Sequence, residues 1–337
     1  MDGIDGPIRW GILGTASIAH SGFLPALRSA GGGVAVAVAS RDLARAEPWA
    51  AEEGVGRAVE GYERLIGDPE IEALYIPLPN RMHMEWAIAA LAAGKAVFCE
   101  KPLCVTPEET AAVLDAARTS PGPLWEAFVF PFLDEIAAVR RLIAEGAIGE
   151  IREIHSSFHF MLDDTENIRS FAALTGGSIQ DVGCYPIRLA RLLFDDEPDL
   201  ERTIADAVWS DDDADEEIWG ALAFPGDRRL LFSSGFRSTY QTFTRILGTD
   251  GEIRMTNPFH PREHDTRTVV HDGESHTEPA AGTGEPTFTP AIRHIHNVLR
   301  GLDEPRHLAV DEAMGNAPAI ASVIRSARRE GVEPPTF

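Results

Sequence analysis

The chain contains very little lysine. Only Lys95 and Lys101 stand against 28 arginines, and acidic side chains outnumber basic ones so far that the formal net charge is −23. A field of this sign repels phosphate, which argues against nucleic acids and anionic membranes as partners. Low lysine combined with a carboxylate excess favours adaptation to high salt. Arginine-rich codon usage is the alternative explanation, and it accounts for the missing lysine but not for the added acid.

Salt is therefore expected to stabilise the protein. At a net charge of −23, carboxylate repulsion destabilises the compact state in dilute buffer, whereas molar salt shortens the Debye length to about 3 Å. The melting temperature, measured by scanning calorimetry, should rise steadily from dilute buffer to molar KCl. NaCl should have the same effect, and activity should rise over the same range. A flat or falling melting temperature would leave codon usage as the explanation.

Cysteine and long apolar runs are also scarce. The three cysteines, Cys99, Cys104 and Cys184, are an odd and sparse set, which predicts buried thiols in a reducing compartment and no disulfide framework. Their spacing from histidine predicts no metal site. No apolar run reaches the length of a membrane span, and the N-terminus lacks the pattern of a signal sequence. We therefore expect a soluble, cytoplasmic protein.

The first 124 residues alternate between strand and helix patterns. Short apolar runs that predict strands lie at Ile8–Leu13, Val34–Ala39, Ala73–Ile76 and Ala96–Glu100. Helical patterns separate them, and this order predicts a doubly wound parallel sheet with right-handed crossovers. Residues 1–124 are thus predicted to form an α/β domain of the Rossmann type.

The pattern changes after residue 124. Longer strand candidates joined by turn signals follow, at Ile151–Phe160, Ile218–Phe224, Arg229–Ser238 and Thr242–Gly248. Strands joined by short turns predict a mostly antiparallel sheet. Residues 125–337 are therefore predicted to form a second, α+β domain.

Two polar stretches in this half predict surface loops. The acidic run Asp211–Glu217 is typical of a solvated loop, and Asp272–Pro286 is rich in Gly, Glu and Pro. The helical patterns Pro290–Arg300 and Val310–Arg329 close the chain. These two helices are candidates for packing back on the first domain.

The first predicted strand leads directly into a glycine-containing turn. Gly14, Ala16 and Ala19 match the pattern G-x-G-x-x-G/A between a strand and a helix. In that context the backbone of the turn binds a pyrophosphate at the helix N-terminus. Ala16 stands where a second glycine usually allows the closest approach, so the turn is expected to lie slightly further from the phosphates.

The end of the second strand bears on cofactor choice. A carboxylate there would bind the ribose 2′-hydroxyl of NAD, whereas an arginine accommodates the 2′-phosphate of NADP. Ser40 and Arg41 offer hydrogen-bond donors, and Asp42 is expected to begin the next helix. NADP is therefore favoured, with NAD as the alternative. The other interpretation is that Arg41 is an ordinary exposed arginine.

The fourth predicted strand ends at Glu100, and Lys101 and Pro102 follow it. Ligands bind at the carboxyl ends of parallel strands, and an ammonium beside a carboxylate there can transfer a proton or polarise a sugar hydroxyl. The proline can adopt a cis bond that holds the lysine in one direction. The alternative is a strand-end lysine that pairs with a nearby acid.

A stiff loop follows the third strand. Two prolines flank Leu78 at the edge where a nicotinamide would lie, and Asn80 either bonds a ribose or caps the next helix. His83 falls in the first turn of that helix. It either faces the cofactor or is a structural histidine with satisfied ring nitrogens.

The second half has its own candidate motif, Gly176–Pro186. A helix is predicted from Ile187, so Asp181 and Tyr185 lie near its start and share one face if the helix begins early. A phenol can act as an acid–base group when an ammonium lowers its pKa. The alternative is that Asp181 caps the helix and Tyr185 is a boundary tyrosine.

Together these segments resemble the glucose–fructose oxidoreductase/inositol dehydrogenase (Gfo/Idh/MocA) family over nearly the whole chain. The most specific similarity lies in Pro79–His83, Glu100–Pro102 and Asp181–Pro186. The branch with tyrosine at position 185, where other members have histidine, resembles NADP-dependent D-xylose 1-dehydrogenases and dimeric dihydrodiol dehydrogenases.

The resemblance implies roles for individual residues. Lys101 and Tyr185 would handle protons and Asp181 would bind substrate. Similarity on the substrate side extends to Phe128, Phe158 and Arg169. The residues that the motifs and the resemblance assign to the cofactor are Gly14, Thr15, Ala16, Ser17, Ile18, Ser40, Arg41, Leu78, Pro79, Asn80, His83, Glu100, Lys101 and Pro102.

The resemblance also implies a function and an assembly. A hydride would pass from a cyclic sugar or polyol, such as a D-xylose-like aldose that becomes a lactone, to nicotinamide. An open-faced sheet in the second domain would form a homodimer or homotetramer interface. The alternatives are a trans-dihydrodiol or inositol-type dehydrogenase, a reductase of another carbonyl, and a non-catalytic cofactor-binding regulator. The joint presence of Lys101 and Tyr185 favours an enzyme over a regulator. Pro131 and Leu133 replace an arginine and a histidine expected in this branch, which leaves the sugar open.

Overall fold

The computed structural model describes residues 6–164, 167–172 and 176–329. The chain divides into two compact units. The first comprises Met1–Leu133 with Gly282–Met314, and the second comprises Asp134–Ala281 with Gly315–Phe337. The domain boundary expected after residue 124 stays a prediction. None of the helices in the described ranges combines the length and the apolar character that a membrane crossing requires.

The first unit contains a six-stranded parallel sheet. Its strands are β1 (Ile8–Leu13), β2 (Gly33–Ser40), β3 (Arg57–Glu60), β4 (Ala73–Ile76), β5 (Ala96–Cys99) and β6 (Leu124–Glu126). They lie in the order β3-β2-β1-β4-β5-β6, and every neighbouring pair is parallel. The helices between them are α1 (Leu24–Ala30), α2 (Leu43–Glu53), α3 (Tyr62–Ile66), α4 (His83–Ala92) and α5 (Pro107–Thr119).

Helix α5 shows how local sequence sets these elements. The side chain of Thr106 accepts a hydrogen bond from the backbone N–H of Glu109 at 3.1 Å. Pro107 occupies the first turn, where its missing N–H costs nothing, and two acidic residues follow it near the positive end of the helix dipole.

The second unit contains an eight-stranded, mostly antiparallel sheet. Its helices are α6 (Asp134–Ala144) and α7 (Cys184–Phe194). Its strands are β7 (Ile151–Met161), β8 (Asp199–Trp209), β9 (Asp215–Phe224), β10 (Arg228–Gly235), β11 (Arg237–Gly248), β12 (Gly251–Met255), β13 (Thr266–His271) and β14 (Glu274–Pro279). The order is β14-β13-β12-β11-β7-β10-β9-β8, and β7 and β10 form the single parallel pair among these strands. The predicted fold class is therefore confirmed.

Two predicted loops are in fact partly strand. The stretch Asp272–Pro286 contains β14, whose six side chains are all exposed and which is held by main-chain pairing to β13. The acidic run Asp211–Glu217 ends inside β9, and its Asp215 is buried. Neither segment carries the apolar alternation that identifies a strand in a sequence.

Helix α8 (Thr289–Leu299) completes the core of the first unit. Ile292 and other apolar residues of its face are buried against the parallel sheet. Trp10 of β1 donates from Nε1 to His296 Nε2 at 2.9 Å, so His296 Nδ1 carries the proton and donates to the carbonyl oxygen of Gly31 at 2.8 Å. Burial lowers the pKa of His296 to about 4, which keeps the ring neutral. The last helix, α9, spans Ala309–Ala327.

Candidate active site

The glycine-containing turn lies at the carboxyl end of β1. Gly14 has φ +96°, and a Cβ on it would lie 2.9 Å from Leu78 Cδ2. Its N–H donates to the carbonyl oxygen of Ala39 at 2.7 Å. Ser17 and Ile18 in the following turn are exposed. The turn therefore offers an open backbone surface before a helix, the arrangement that binds a pyrophosphate.

The end of β2 presents a cation beside a fixed serine. Ser40 is buried, and its Oγ accepts a hydrogen bond from the N–H of Asp42 at 3.3 Å. Asp42 caps α2 through a 2.9 Å bond from the N–H of Ala44, as expected for a helix start. Arg41 is exposed, and within the described part of the chain its guanidinium has no ion-pair partner. This donor set suits a phosphate on the ribose.

His83 joins two loops of this edge. Its ring is fully buried, with Nε2 2.8 Å from the carbonyl oxygen of Leu78 and Nδ1 3.0 Å from that of Pro102. Burial lowers the pKa of His83, and the positive Lys101 acts in the same direction, against the backbone carbonyl oxygens, which raise it. The geometry favours the structural histidine, which fixes the loop at Leu78–Asn80 to the loop at Pro102.

Lys101 lies two residues beyond the end of β5. The preceding Glu100 is buried, accepts from Tyr75 Oη at 2.6 Å through Oε1, and accepts from the N–H of Lys101 at 3.3 Å through Oε2. The Lys101–Pro102 peptide bond is cis. Glu126 of β6 accepts from the N–H of Leu103 at 2.8 Å. Two buried carboxylates thus hold the backbone on both sides of the lysine.

Tyr75 and Glu126 were not among the sequence-predicted site residues. Each lies on a buried strand of the parallel sheet, where a polar side chain is unusual. That placement was a signal in the sequence that could have identified them. Phe128 lies just beyond β6, is buried, and meets the ring of Phe130 edge-on at 6.0 Å.

The positions that depart from the expected branch pattern are part of the apolar interior. Pro131 lies in a 3₁₀ turn over Phe130–Phe132 and is buried, as is Leu133. The residues that replace the expected arginine and histidine therefore supply packing and no charge.

In the second unit, Asp181 and Tyr185 lie on one continuous helical segment. A π-helical turn spans Ile179–Gly183 and leads into α7, so the helix begins eight residues earlier than the predicted start at Ile187. Asp181 Oδ2 accepts from Arg169 Nε at 2.6 Å. The predicted substrate-binding residues Asp181 and Arg169 and the predicted catalytic Tyr185 thus belong to one neighbourhood of this unit.

Tyr185 lies in an aromatic cluster. Its ring centroid is 5.4 Å from that of Phe158, 5.1 Å from Phe259 and 5.7 Å from His260. Asn257 fixes the loop that carries the last two, because its Nδ2 donates to the carbonyl oxygen of His260 at 2.6 Å and its Oδ1 accepts from the N–H of His260 at 3.1 Å.

Phe259 and His260 were not predicted. Two aromatic rings in a proline-flanked loop between strands were the only local signal. As for metals, no group of three or more His, Cys, Asp or Glu side chains in the described ranges is arranged to hold an ion.

Comparison with known proteins identifies both halves of the chain. Residues 8–128 match the model of the oxidoreductase family with an NAD-binding Rossmann fold, and residues 136–254 match the GFO/IDH/MocA C-terminal domain. An uncharacterised oxidoreductase of Rhizobium meliloti is 38% identical over 96% of this chain and 97% of its own length. A D-xylose 1-dehydrogenase (NADP(+)) of Haloferax volcanii is 36% identical over 80% of this chain and 83% of its own.

A solved structure shares the whole architecture. It is a 3-ketoreductase from Actinomadura kijaniata in complex with NADP and TDP-benzene, with a TM-score of 0.84 and 28% sequence identity over 94% of this chain and 97% of that one. Sequence identity and fold therefore agree over nearly the full length, and the domain matches cover residues 8–128 and 136–254. The chain belongs to the Gfo/Idh/MocA family and is an NAD(P)-dependent oxidoreductase.

Proposed function

We propose that this protein is an NADP-preferring dehydrogenase that oxidises a carbinol carbon of a cyclic sugar or polyol, such as a D-xylose-like aldose that becomes a lactone. The observation that carries the proposal is Tyr185, a phenol set among Phe158, Phe259 and His260 with Asp181 just before it on the same segment. Aromatic rings suit the apolar C–H faces of a sugar ring, and the polar groups suit its hydroxyls.

The first unit binds the cofactor. The backbone of Gly14, Thr15, Ala16, Ser17 and Ile18 binds the pyrophosphate, and Ser40 and Arg41 bind the 2′-phosphate. Leu78, Pro79 and Asn80, fixed by His83, form the wall toward the nicotinamide, together with Glu100, Lys101 and Pro102. Bound NADP supplies the hydride acceptor.

The chain's own groups then handle the proton. As hydride leaves the carbinol carbon, the hydroxyl proton passes to Tyr185 as phenolate or to Lys101 as neutral amine, and from there to solvent. Asp181, oriented by Arg169 at 2.6 Å, accepts a hydrogen bond from a neighbouring hydroxyl. Phe158 and Phe128 supply apolar contact.

An aldose and polyol panel with NADP and NAD, run at low and molar salt, tests this function. We expect the highest kcat/KM for a pentose-like aldose with NADP, with a lactone as product. Activity on no member of the panel in either cofactor and at either salt concentration would contradict the proposal.

Reduction of a keto group on a sugar is the second candidate. It is favoured by the Actinomadura 3-ketoreductase, whose fold matches this chain with a TM-score of 0.84. Adding keto sugars and NADPH to the panel separates the two functions. A dehydrogenase should oxidise the aldose with NADP faster than it reduces the keto sugar with NADPH.

Replacing Arg41 tests the cofactor preference. Arg41→Ala should weaken NADP binding by about 1.5–3 kcal/mol, the contribution of hydrogen bonds to charged groups, and leave NAD binding nearly unchanged. Fluorescence titration of both cofactors measures the effect. Equal losses for the two cofactors would show that Arg41 does not read the phosphate.

We further propose that the sheet face away from α7 is the interface of a homodimer or homotetramer. Trp219 of β9, Ser233 of β10, Ser157 of β7 and Phe243 of β11 are cross-strand partners in one row of this face. Trp219 is 45% exposed, and Ile204 and Phe243 are exposed as well. Exposed apolar side chains on one sheet face are typical of an association surface.

Trp219→Glu should therefore shift the molar mass, measured by light scattering after size exclusion, from an oligomer to the monomer. Leu302→Glu is the matched control, because Leu302 is 72% exposed but belongs to the first unit. A wild-type monomer, or the same shift in the control, would contradict this interface.

A further inference from the structure

A buried carboxylate lies at the start of the helical segment that carries Asp181 and Tyr185. Asp215, the first residue of β9, is 3% exposed. Its Oδ2 accepts from Ser178 Oγ at 2.7 Å and from the N–H of Ile179 at 2.8 Å. Ser178 is itself buried, and its Oγ lies 3.1 Å from Ser234 Oγ of β10. Two strands of the sheet therefore hold the beginning of the segment.

The position of Asp215 also explains why a glycine precedes Ser178. Gly177 has φ +110°, and a Cβ on it would overlap Asp215 Oδ1. Its N–H donates to the carbonyl oxygen of Arg169 at 2.8 Å, and Arg169 in turn binds Asp181. The hydrogen bonds of Asp215 and Arg169 thus fix both ends of the short stretch between Gly177 and Asp181.

Neutral donors make the contact with Asp215. Asp215 lines a pocket with a volume of about 270 Å³. The other charged groups that line this pocket are Arg169, Glu216 and Arg237. Arg169 pairs with Asp181, and Glu216 lies 3.6 Å from Arg237, so these charges pair with each other. Burying a carboxylate without a cation costs free energy that an uncharged acceptor would not. Its two donors instead make charge-assisted hydrogen bonds, which are shorter and stronger than neutral ones.

We propose that Asp215 is a positioning residue for the reaction: it clamps the start of the segment 178–194 to the sheet and thereby fixes where Asp181 and Tyr185 point. The proposal rests on the proposed roles of those two residues. Asp215 reaches neither substrate nor cofactor in this scheme and acts only through Ser178 and Ile179. Displacing a reacting group by about 1 Å can cost on the order of 10²-fold in rate, so a rigid anchor at this point matters.

The orientation of Tyr185 can be followed without any substrate. The chain has four tyrosines, so protein labelled with 3-fluorotyrosine gives four ¹⁹F resonances, and Tyr185→Phe assigns one of them. Asp215→Ala should move or broaden the Tyr185 resonance. The resonances of Tyr62 and Tyr75 should stay unchanged, because both residues belong to the first unit. Asp215→Asn keeps an oxygen acceptor for both donors and should leave the Tyr185 resonance near its wild-type position.

Kinetics on the best substrate of the panel provide the second readout. Asp215→Ala should lower kcat by up to about 10²-fold, with an unchanged dissociation constant for NADP, because the clamp lies in the second unit. Asp215→Asn should restore most of the rate. A panel without any substrate would defeat the proposed function, while the ¹⁹F spectra would still decide the role of Asp215.

Glu135→Ala is the matched control. Glu135, in the same unit, is 1% exposed and accepts from Arg267 Nη1 at 2.7 Å and the N–H of Ala281 at 2.8 Å, and neither donor belongs to residues 178–194. Equal losses of kcat and melting temperature in both alanine variants, with the Tyr185 resonance unmoved, would overturn the proposal. If Asp215→Ala does not fold, Ser178→Ala takes its place and should move or broaden the Tyr185 resonance. An unmoved resonance in Ser178→Ala would then overturn the proposal.

Discussion

Lys101→Ala and Tyr185→Phe are each expected to lower kcat by about 10²–10⁴-fold, the contribution of a positioned general acid or base. NADP should still bind, because the glycine-containing turn and Arg41 are untouched. Steady-state kinetics and cofactor titration measure the two quantities separately. A loss of less than about tenfold in Lys101→Ala would show that its ammonium does not handle the proton.

The scarcity of lysine provides the control for this experiment. Lys95 is the second of the chain's two lysines, and its Nζ donates to the carbonyl oxygens of Asp68 and Ile71, both at 2.7 Å. Lys95→Ala should therefore lower the melting temperature and leave kcat nearly unchanged. A comparable loss of kcat in both variants would assign the effect of Lys101→Ala to charge or folding.

The second large effect is a pH-dependent change in stability at Asp215. Burial raises the pKa of this carboxyl to about 6 from its ordinary value near 4. The folded state thus holds the proton more tightly than the unfolded state, so this group's contribution to stability is present below pH 4 and is lost as the pH rises to about 6. A difference of two pKa units corresponds to about 3 kcal/mol.

Asp215→Asn removes that dependence. The free energy of unfolding of the variant minus that of the wild type should increase by up to about 3 kcal/mol between pH 4 and pH 7. Urea denaturation at each pH, in constant salt, measures it. Asp211→Asn, an exposed carboxylate of the same acidic run, controls for the lost charge. A difference that is flat with pH, or that falls, would contradict a raised pKa at Asp215.

Four of the six strands of the parallel sheet could be predicted almost to the residue, whereas the short strands β3 and β6 were not predicted. Ile8–Leu13 and Ala73–Ile76 are observed with the predicted bounds. Such strands are buried on both faces, so each is written in the sequence as a continuous apolar run between turn signals. The strand β14 could not be found this way, because at the edge of the second sheet all its side chains meet solvent and only its backbone is paired.

The candidate site shows a similar division. Gly14, Arg41 and Lys101 follow directly from their places at strand ends, where topology alone brings ligands. The early helix start at Ile179 did not follow, since Gly183 and Pro186 indicate a break in a sequence. In the structure, the π-helical turn Ile179–Gly183 leads directly into α7, and the helical segment continues through Pro186.

Asp215 illustrates what composition cannot reveal. It is one of six carboxylates in the run Asp211–Glu217, a pattern typical of solvated loops, yet it is buried against Ser178. Its hydrogen-bond donor Ser178 lies 37 residues earlier in the chain. The packing of the helical segment against β9 and β10 brings the two together, and a sequence does not state that packing.

The return of α8 to the first unit has a consequence for how this protein is made. The parallel sheet is complete by Glu126, but its core also contains Phe288, Ile292 and Ile295. At about 5–20 residues per second on the ribosome, the intervening 160 or so residues take roughly 8–32 s to synthesise. During that time the nascent first unit exposes the apolar surface that α8 later covers. A ribosome-bound chain that ends before α8 is therefore a natural client for a chaperone.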